Sequence, residues 1–413
     1  MIRSEEERRV RTALVGASDH AVTRVVAMVD AMENRAAADR LLEPLRPRLR
    51  RLRPARPLQM ARLLFLPLDG AIVPDPAWRR GGATLPRGAL LPITAALRRA
   101  APDAVAAIIA ETEGHRFDDL AKVGSLGRRL WALAAEQSSA GALREACPAT
   151  GLADADLDTI LALCLGVWRH AAALWDAMEQ AEDGPPDGVV RTALAGPARE
   201  DPAVFATCLA TLLRAATLPG RVSAIAAGFS PALRRLAENV LVGFVEATLP
   251  KPDAGDADPG AAAEAALRLA TAIDDIETID IWRGPEWRAH LHRLRREGEA
   301  TCHGIFAAGL ESLVLTPFGT LAAMPDMPDA EADEVVLLAE DSARKLRRLE
   351  LSARRIGDTG RYDDTTRGFL DMLATLGATV PGDASTGLRR IDLARLAEIL
   401  CGREAAQRIL EGA

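Results

Sequence analysis

The sequence predicts an all-α fold, and three observations support that prediction. Aromatic residues, which favour strands, make up only 4% of the 413 residues, and the single tyrosine is Tyr362. Apolar residues recur at helical spacing between clusters of proline and glycine. Alternating apolar and polar runs are no longer than about five residues, and Asn-Gly turns are absent. The predicted architecture is an irregular multi-helix bundle or an α-solenoid-like array of helical hairpins.

The N-terminal segment begins with a capping box. The Ser4 hydroxyl and the Glu7 carboxylate can each satisfy a free backbone amide of a first helical turn. Apolar residues at helical spacing extend this first predicted helix to Asn34. A second helix is predicted over residues 36–42.

A stretch rich in proline and glycine then interrupts the helical pattern. Residues 46–56 are basic and punctuated by prolines, and an apolar run follows from Leu58 to Leu68. Prolines at this density fix φ and exclude a regular helix, so we predict a long ordered loop near residues 66–88. Residues 71–73 are a candidate short strand without an evident partner. A loop of this length in a compact protein is usually functional or held against the body.

The helical pattern resumes at Ala89. Asp201-Pro202 and Ser230-Pro231 each place a capping side chain before a proline, which is typical of a helix start. The predicted helices after the loop cover residues 90–100, 103–111, 117–136, 140–146, 154–182, 202–216, 231–249, 261–282, 285–315, 328–356, 365–376, 391–400 and 404–410.

Two polar segments divide the chain. Residues 251–260 (KPDAGDADPG) are turn-rich and lack an apolar anchor, as expected of a domain linker. A chain of 413 residues exceeds the size at which one hydrophobic core keeps growing. We therefore predict an N-terminal helical domain over residues 1–250, with a candidate sub-boundary at residues 183–188, and a C-terminal helical domain over residues 261–413.

The charge pattern disfavours a surface that wraps nucleic acid, because the formal net charge is −7. Only three of the 51 basic residues are lysine, which is typical of a GC-rich genome and makes arginine abundance weak evidence for phosphate binding. The five cysteines form no CxxC pair, so we expect buried free thiols in a reducing cytosol.

The predicted location is the cytoplasm. The N-terminal residues are acidic and include no apolar signal region. No apolar run reaches the ~18 uninterrupted residues of a membrane span, so we expect no transmembrane segment.

The first candidate site is an arginine cluster that leads into the long loop. It could bind another protein, an anionic membrane surface or nucleic acid. The competing interpretation is a solvated face paired with acidic residues such as those at positions 326–334. Trp78 could anchor a partner or pack the loop against its own helices, and packing is favoured. The candidate partner-binding residues are Arg48, Arg50, Arg51, Arg53, Arg56, Arg62, Trp78, Arg79 and Arg80.

The second candidate site combines carboxylates with histidines, which are ligands for divalent metals. Its spacing is poor: His290 and His292 lie two residues apart, on different sides of a helix, and no Glu-x-x-His pair occurs. Ordinary helix-surface pairs are the competing interpretation. The candidate ligands are Asp274, Asp275, Glu277, His290 and His303.

Other motifs are weaker or absent. His115 lies at a helix break, where capping or a local hydrogen bond is expected rather than catalysis. Asp358-Thr359-Gly360 matches the aspartic-protease tripeptide but follows a predicted helix instead of a strand. The sequence contains no GxxxxGK[ST], no GxGxxG after a strand and no GxSxG.

These patterns predict a non-enzymatic helical scaffold or adaptor that acts through protein–protein contacts and needs no cofactor. The expected contact surface is the region between Arg46 and Trp78. One alternative is an all-helical, metal-dependent enzyme that uses the region from Asp274 to His303. Another is peripheral binding of an anionic membrane or nucleic acid through the cluster from Arg46 to Arg62.

Overall fold

The computed structural model describes residues 24–25, 57–147, 154–180, 186–251, 258–324, 327–357, 360–379 and 388–411. This part of the chain contains eighteen α-helices with defined bounds and two strands of two residues each. The prediction of an all-α, multi-helix array is therefore confirmed. The predicted helices before residue 57 lie outside the described residues, apart from residues 24–25, which are helical.

The helices of the N-terminal part precede the polar segment near residue 251. They are α1 Met60–Leu64, α2 Leu90–Ala100, α3 Pro102–Thr112, α4 Leu120–Ser139, α5 Ala142–Ala146, α6 Asp154–Glu179, α7 Asp187–Ala195, α8 Pro197–Glu200, α9 Pro202–Ala215, α10 Pro219–Ala227 and α11 Pro231–Ala247.

The helices of the C-terminal part follow that segment. They are α12 Pro259–Thr278, α13 Pro285–Gly309, α14 Thr316–Ala323, α15 Asp329–Ala353, α16 Gly360–Thr379, α17 Arg390–Cys401 and α18 Arg403–Glu411. A π-helical segment, Leu310–Leu315, joins α13 to α14 without a break. Because Pro317 lies in the first turn of α14, where a proline is tolerated, the helix continues past the end predicted at residue 315.

The predicted loop contains more regular structure than its composition indicates. Three 3-10 helices, Leu66–Ala71, Asp75–Ala77 and Arg87–Ala89, alternate with strands β1 Ile72–Val73 and β2 Leu85–Pro86. The strands pair in parallel, with Ile72 opposite Leu85. The candidate strand at residues 71–73 therefore does have a partner. The sequence hid it because a two-residue strand that ends in proline has no alternating pattern.

The apolar run before this loop is part of the protein core. Leu63 and Leu64 at the end of α1 are fully buried. The indole Nε1 of Trp131 in α4 donates to the carbonyl oxygen of Leu63 at 2.8 Å, and that of Trp168 in α6 donates to Leu64 at 3.0 Å. The tryptophans that cover this helix end thus donate to its last two carbonyls, and the Leu63 carbonyl also accepts the Phe65 N–H.

The first 3-10 helix of the loop is held against α9. The Thr211 hydroxyl donates to the carbonyl oxygen of Pro67 at 3.0 Å. A Cβ on Gly70 would lie 2.5 Å from the carbonyl carbon of Ala210, so only glycine lets the two backbones approach this closely. The loop is therefore a packed layer on α9.

Two helix starts predicted from capping residues are confirmed. The Asp201 side chain accepts the amide N–H of Ala203 at 2.7 Å, and the Ser230 hydroxyl oxygen accepts the amide N–H of Leu233 at 3.2 Å. Helices α7, α8 and α10 were not predicted. They have between four and nine residues, too few for helical periodicity to emerge from the sequence.

The buried apolar side chains form one cluster that runs from Leu58 to Ile409. Contacts cross the predicted linker: the Asp275 carboxylate of α12 accepts the amide N–H of Gly220 at 2.6 Å. All five cysteines are free, and all except Cys401 are buried, as predicted. The division into two domains stays a prediction.

Two helices of the described chain are long and apolar enough to cross a membrane by length and composition alone. The apolar stretch of α6 is 56% buried, which is the pattern of a core helix. The continuous helix from Pro285 to Ala323 has an apolar stretch that is 39% buried.

Candidate binding groove

An open groove of about 1130 Å³ lies between α9, α11 and α12. Helices α11 and α12 both pack on α10, and α11 also packs on α9. The space lies between α11 and α12, which make few direct contacts with each other. The loop that precedes α10 and Gly70 of the packed layer close one end, and Lys251 and Asp258 lie at the other end.

The walls of the groove are apolar and made largely of small residues. Alanines line much of the α12 side, together with Leu267. The other larger apolar side chains come from α11 and from the residues just after it. The apolar wall residues include Val240, Phe244, Ala247, Leu249, Ala261, Ala265 and Leu267.

Gly243 lies in the interior of α11 and faces this space. A glycine inside a helix costs about 1 kcal/mol relative to alanine. Gly298 of α13 has a packing reason, because a Cβ there would lie 2.6 Å from the Leu269 side chain. A Cβ on Gly243 would meet nothing within 4 Å. The packing of the described chain therefore does not require a glycine here, and its absent side chain leaves room in the groove.

The charged side chains of the groove are mostly cationic. Arg214 forms an ion pair with Asp69 at 3.2 Å. Lys251 and Arg268 are exposed and form no ion pair with any described residue. Asp258 is the single carboxylate of the described lining, and it caps α12 by accepting the amide N–H of Gly260 at 3.0 Å. The described residues thus present a mostly cationic border around an apolar groove.

The chemistry of the described lining is mainly apolar and cationic. Its charged side chains are three cations and one carboxylate that caps a helix. It contains no histidine, cysteine or glutamate, and its hydroxyl groups belong to threonines. Apolar walls with two unpaired cations can hold a ligand that is apolar on one side and anionic on another.

The arginine cluster predicted as a contact surface lies partly outside this structure. Its members Arg48, Arg50, Arg51, Arg53 and Arg56 fall outside the described residues. The Arg62 guanidinium lies over the Phe117 ring, 4.8 Å from the ring centroid. Asp333, one of the acidic residues considered as a partner for the cluster, pairs with Arg389 at 3.0 Å instead.

The loop members of the cluster are engaged within the chain. Trp78 is half-buried and donates from Nε1 to the carbonyl oxygen of Thr84 at 3.1 Å, so it packs the loop against the core, as favoured from the sequence. Arg79 donates to the carbonyl oxygen of Pro76 at 2.8 Å. Arg80 pairs with Asp156 of α6 at 2.5 Å.

The carboxylates predicted as metal ligands have other partners. Asp274 pairs with Arg355 at 3.3 Å, and Glu277 pairs with Arg295 through both carboxylate oxygens. Asp275 is buried and accepts backbone N–H groups from Gly220 and Arg221 at the start of α10. Burial raises the pKa of the Asp275 carboxyl, and the two backbone hydrogen bonds oppose that rise.

The two histidines of the predicted metal site also have partners of their own. His290 Nδ1 accepts from Arg293 at 3.1 Å, and burial together with the Arg293 charge lowers the pKa of His290. His303 Nε2 lies 2.9 Å from the Thr365 hydroxyl oxygen. Within the described ranges, no group of three or more His, Cys, Asp or Glu side chains could hold a metal ion. The structure does not bring the predicted ligands together.

Two weaker sequence features have different outcomes. His115 Nδ1 lies 2.9 Å from an Asp119 carboxylate oxygen, so the expected local hydrogen bond is confirmed. Asp358 and Thr359 of the protease-like tripeptide lie outside the described residues.

The groove was not found from the sequence. Its one local signal is Gly243, a glycine inside a strongly helical stretch beside Phe244. Lys251 and Arg268 give no signal, because the sequence does not reveal that α11 and α12 border a common groove.

The described residues form an all-α fold with an apolar groove bordered mostly by cations. Comparison of the chain with models of known protein families, with curated proteins and with solved structures found no match in any of the three. The functional argument therefore rests on the groove itself.

Proposed function

We propose that this protein is a non-enzymatic helical scaffold or adaptor, and that the groove between α9, α11 and α12 receives a helical segment of a partner protein. The single observation that supports this proposal is the open apolar groove with Gly243 at its wall. A helix laid into an apolar groove is a recurrent mode of peptide recognition.

The size of the groove suits a short helix. The α12 residues that line it run from Ala261 to Ala272, which at 1.5 Å per residue spans about 16 Å. A helix of that length and about 10 Å in diameter has three turns and occupies roughly 1200 Å³. This agrees with the groove volume of about 1130 Å³, which exceeds the ~300–1000 Å³ of an ordinary small-molecule pocket.

The arginines between Arg48 and Arg56 stay a proposed second contact surface. The described residues beside them favour packing over insertion into a membrane, because Leu63, Leu64 and Leu68 are fully buried. We propose a cytoplasmic location for the scaffold, on the sequence argument alone.

Site-directed photo-crosslinking in the native cells tests this function. A photoreactive side chain replaces Ala265 in the groove or, as a control, exposed Ala289 on α13. We expect a protein adduct from position 265 that maps to a helical segment of one partner and disappears when Gly243→Leu is added. The control variant is Gly368→Leu, at another glycine where a Cβ would meet nothing within 4 Å, and we expect the adduct to form in it. An adduct that persists in Gly243→Leu contradicts the proposal.

A further inference from the structure

We infer that the partner segment is an acidic amphipathic helix whose carboxylates meet Lys251 and Arg268 while its apolar face covers Gly243. This inference rests on the proposed function and adds the chemistry of the partner.

The charge distribution supports an acidic partner. The chain as a whole has a formal net charge of −7, yet the described lining of the groove holds three cations and one carboxylate. Arg214 is neutralised by Asp69, which leaves Lys251 and Arg268 without a partner among the described residues. Opposite charges across an interface fix the register and exclude wrong partners.

The positions of the two cations predict a spacing in the partner. Lys251 lines the groove together with Ala261 in the first turn of α12. Arg268 lies seven residues after Ala261, which is about 10 Å at the helical rise. The same distance along a partner helix corresponds to about two turns. We therefore expect acidic residues at positions i and i+7 of the bound segment.

The apolar wall predicts what lies between those carboxylates. Gly243 leaves an opening beside the Phe244 side chain, and the facing wall is lined by Ala265. A large apolar side chain of the partner fits this opening, because neither wall fills it. Large side chains on both walls would occupy the same space. Burial of the partner's side chain contributes about 1.5–3 kcal/mol to binding.

A different occupant would have different chemistry. A fatty acid offers an apolar tail and a single carboxylate, so it can neutralise one cation and leaves the other unpaired. A peptide helix with two carboxylates satisfies both, and it matches the length of the groove. The peptide is therefore the occupant that the described residues favour.

Peptide display on the full-length protein tests the inference. The probe is a library of helix-forming peptides, selected on the wild type alone, and the dependence of the enriched peptides on Gly243 is measured afterwards. We expect the enriched sequences to hold Asp or Glu at i and i+7 on one edge of an apolar stripe. Binding of a selected peptide falls at least about tenfold in Lys251→Glu and in Arg268→Glu, and it weakens with added salt.

Exposed Arg348, which has no ion pair with a described residue, supplies the control Arg348→Glu, and there the affinity stays unchanged. If Gly243→Leu abolishes binding while both groove charge reversals leave it intact, the acidic partner is wrong and the scaffold function stands. If no peptide depends on Gly243, both proposals fail. Oleate provides the test for a lipid. If oleate binds the wild type but not Gly243→Leu, and displaces every selected peptide, the occupant is a lipid and the inference is wrong.

Discussion

The indole nitrogen of Trp131 donates a hydrogen bond of 2.8 Å to the carbonyl oxygen of Leu63, and both residues are buried. This contact joins α4 to the end of α1, 68 positions earlier in the chain. It shows that the segment before the proline-rich loop belongs to the core. Leu63 and Leu64 are therefore not available to a partner, whereas the groove between α11 and α12 is open.

Replacing Trp131 by phenylalanine should destabilise the protein more than the same change at Trp175. The two rings lie 6.3 Å apart and both are buried, but Trp175 Nε1 has no hydrogen-bond partner among the described residues. Trp131→Phe removes the indole donor from the Leu63 carbonyl, which keeps only the Phe65 N–H, and should lower the free energy of unfolding by about 0.5–1.5 kcal/mol beyond the loss in Trp175→Phe. Urea unfolding of both variants measures this difference, and equal losses would contradict it.

Two glycines should respond to alanine in opposite directions. Gly70→Ala places a Cβ about 2.5 Å from the α9 backbone and should destabilise the protein by at least about 1–3 kcal/mol. Gly243→Ala adds a methyl group in open space inside a helix and should stabilise it by about 0.5–1 kcal/mol. Thermal and urea unfolding provide the test, with Gly368→Ala as the matched control. Destabilisation by Gly243→Ala would mean that the fold itself requires this glycine.

His290 should make stability depend on pH in the mildly acidic range. Burial and Arg293 lower its pKa below the ordinary value of 6.5, while Glu246 and Glu297 act in the opposite direction. Between its folded-state pKa and 6.5 the unfolded chain binds more protons, so the free energy of unfolding falls as the pH drops through that window. His290→Gln should remove this pH dependence of the free energy of unfolding. His292→Gln, at an exposed position, should retain it. Unfolding measured at several pH values decides between these outcomes.

Asp275 should contribute a pH dependence of the opposite sign. Its folded-state pKa lies above the ordinary 3.8, so the folded chain binds more protons in the window between the two values. The free energy of unfolding therefore falls as the pH rises from 3.8 through the folded-state pKa. Asp275→Asn should lack this fall in the free energy of unfolding. The test is to compare the unfolding of the variant and the wild type between pH 3.8 and the folded-state pKa of Asp275. Asp274→Asn, at the exposed neighbour that pairs with Arg355, is the control. The same pH profile in both variants would contradict the assignment.

The sequence predicted the helices well where periodicity was long or a cap was present. Asp201 and Ser230 mark their helix starts through local chemistry, which a sequence displays directly. Helix α10, with nine residues, and the pairing of β1 with β2 depend on contacts between distant segments. Such contacts leave no trace in a short window of residues.

The candidate site was harder to predict for the same reason. A groove is a property of how helices are spaced, and the spacing of α11 and α12 on α10 depends on contacts that the sequence does not identify. The metal hypothesis rested on residues close in sequence, yet Asp274 and Glu277 point to different arginines. Local density of polar residues is therefore a poor guide to a shared site when the helix directs each side chain differently.

The most direct measurement for the proposed scaffold is the Kd of a display-selected peptide for the wild type, Gly243→Leu and Gly368→Leu, determined by calorimetric titration of full-length, folded protein. The groove proposal predicts that Gly243→Leu loses binding by at least about a hundredfold, because a leucine side chain fills the space that the peptide needs. Gly368→Leu should bind like the wild type. An unchanged Kd in Gly243→Leu, with its fold intact by circular dichroism, would contradict the proposal that this groove receives a partner helix.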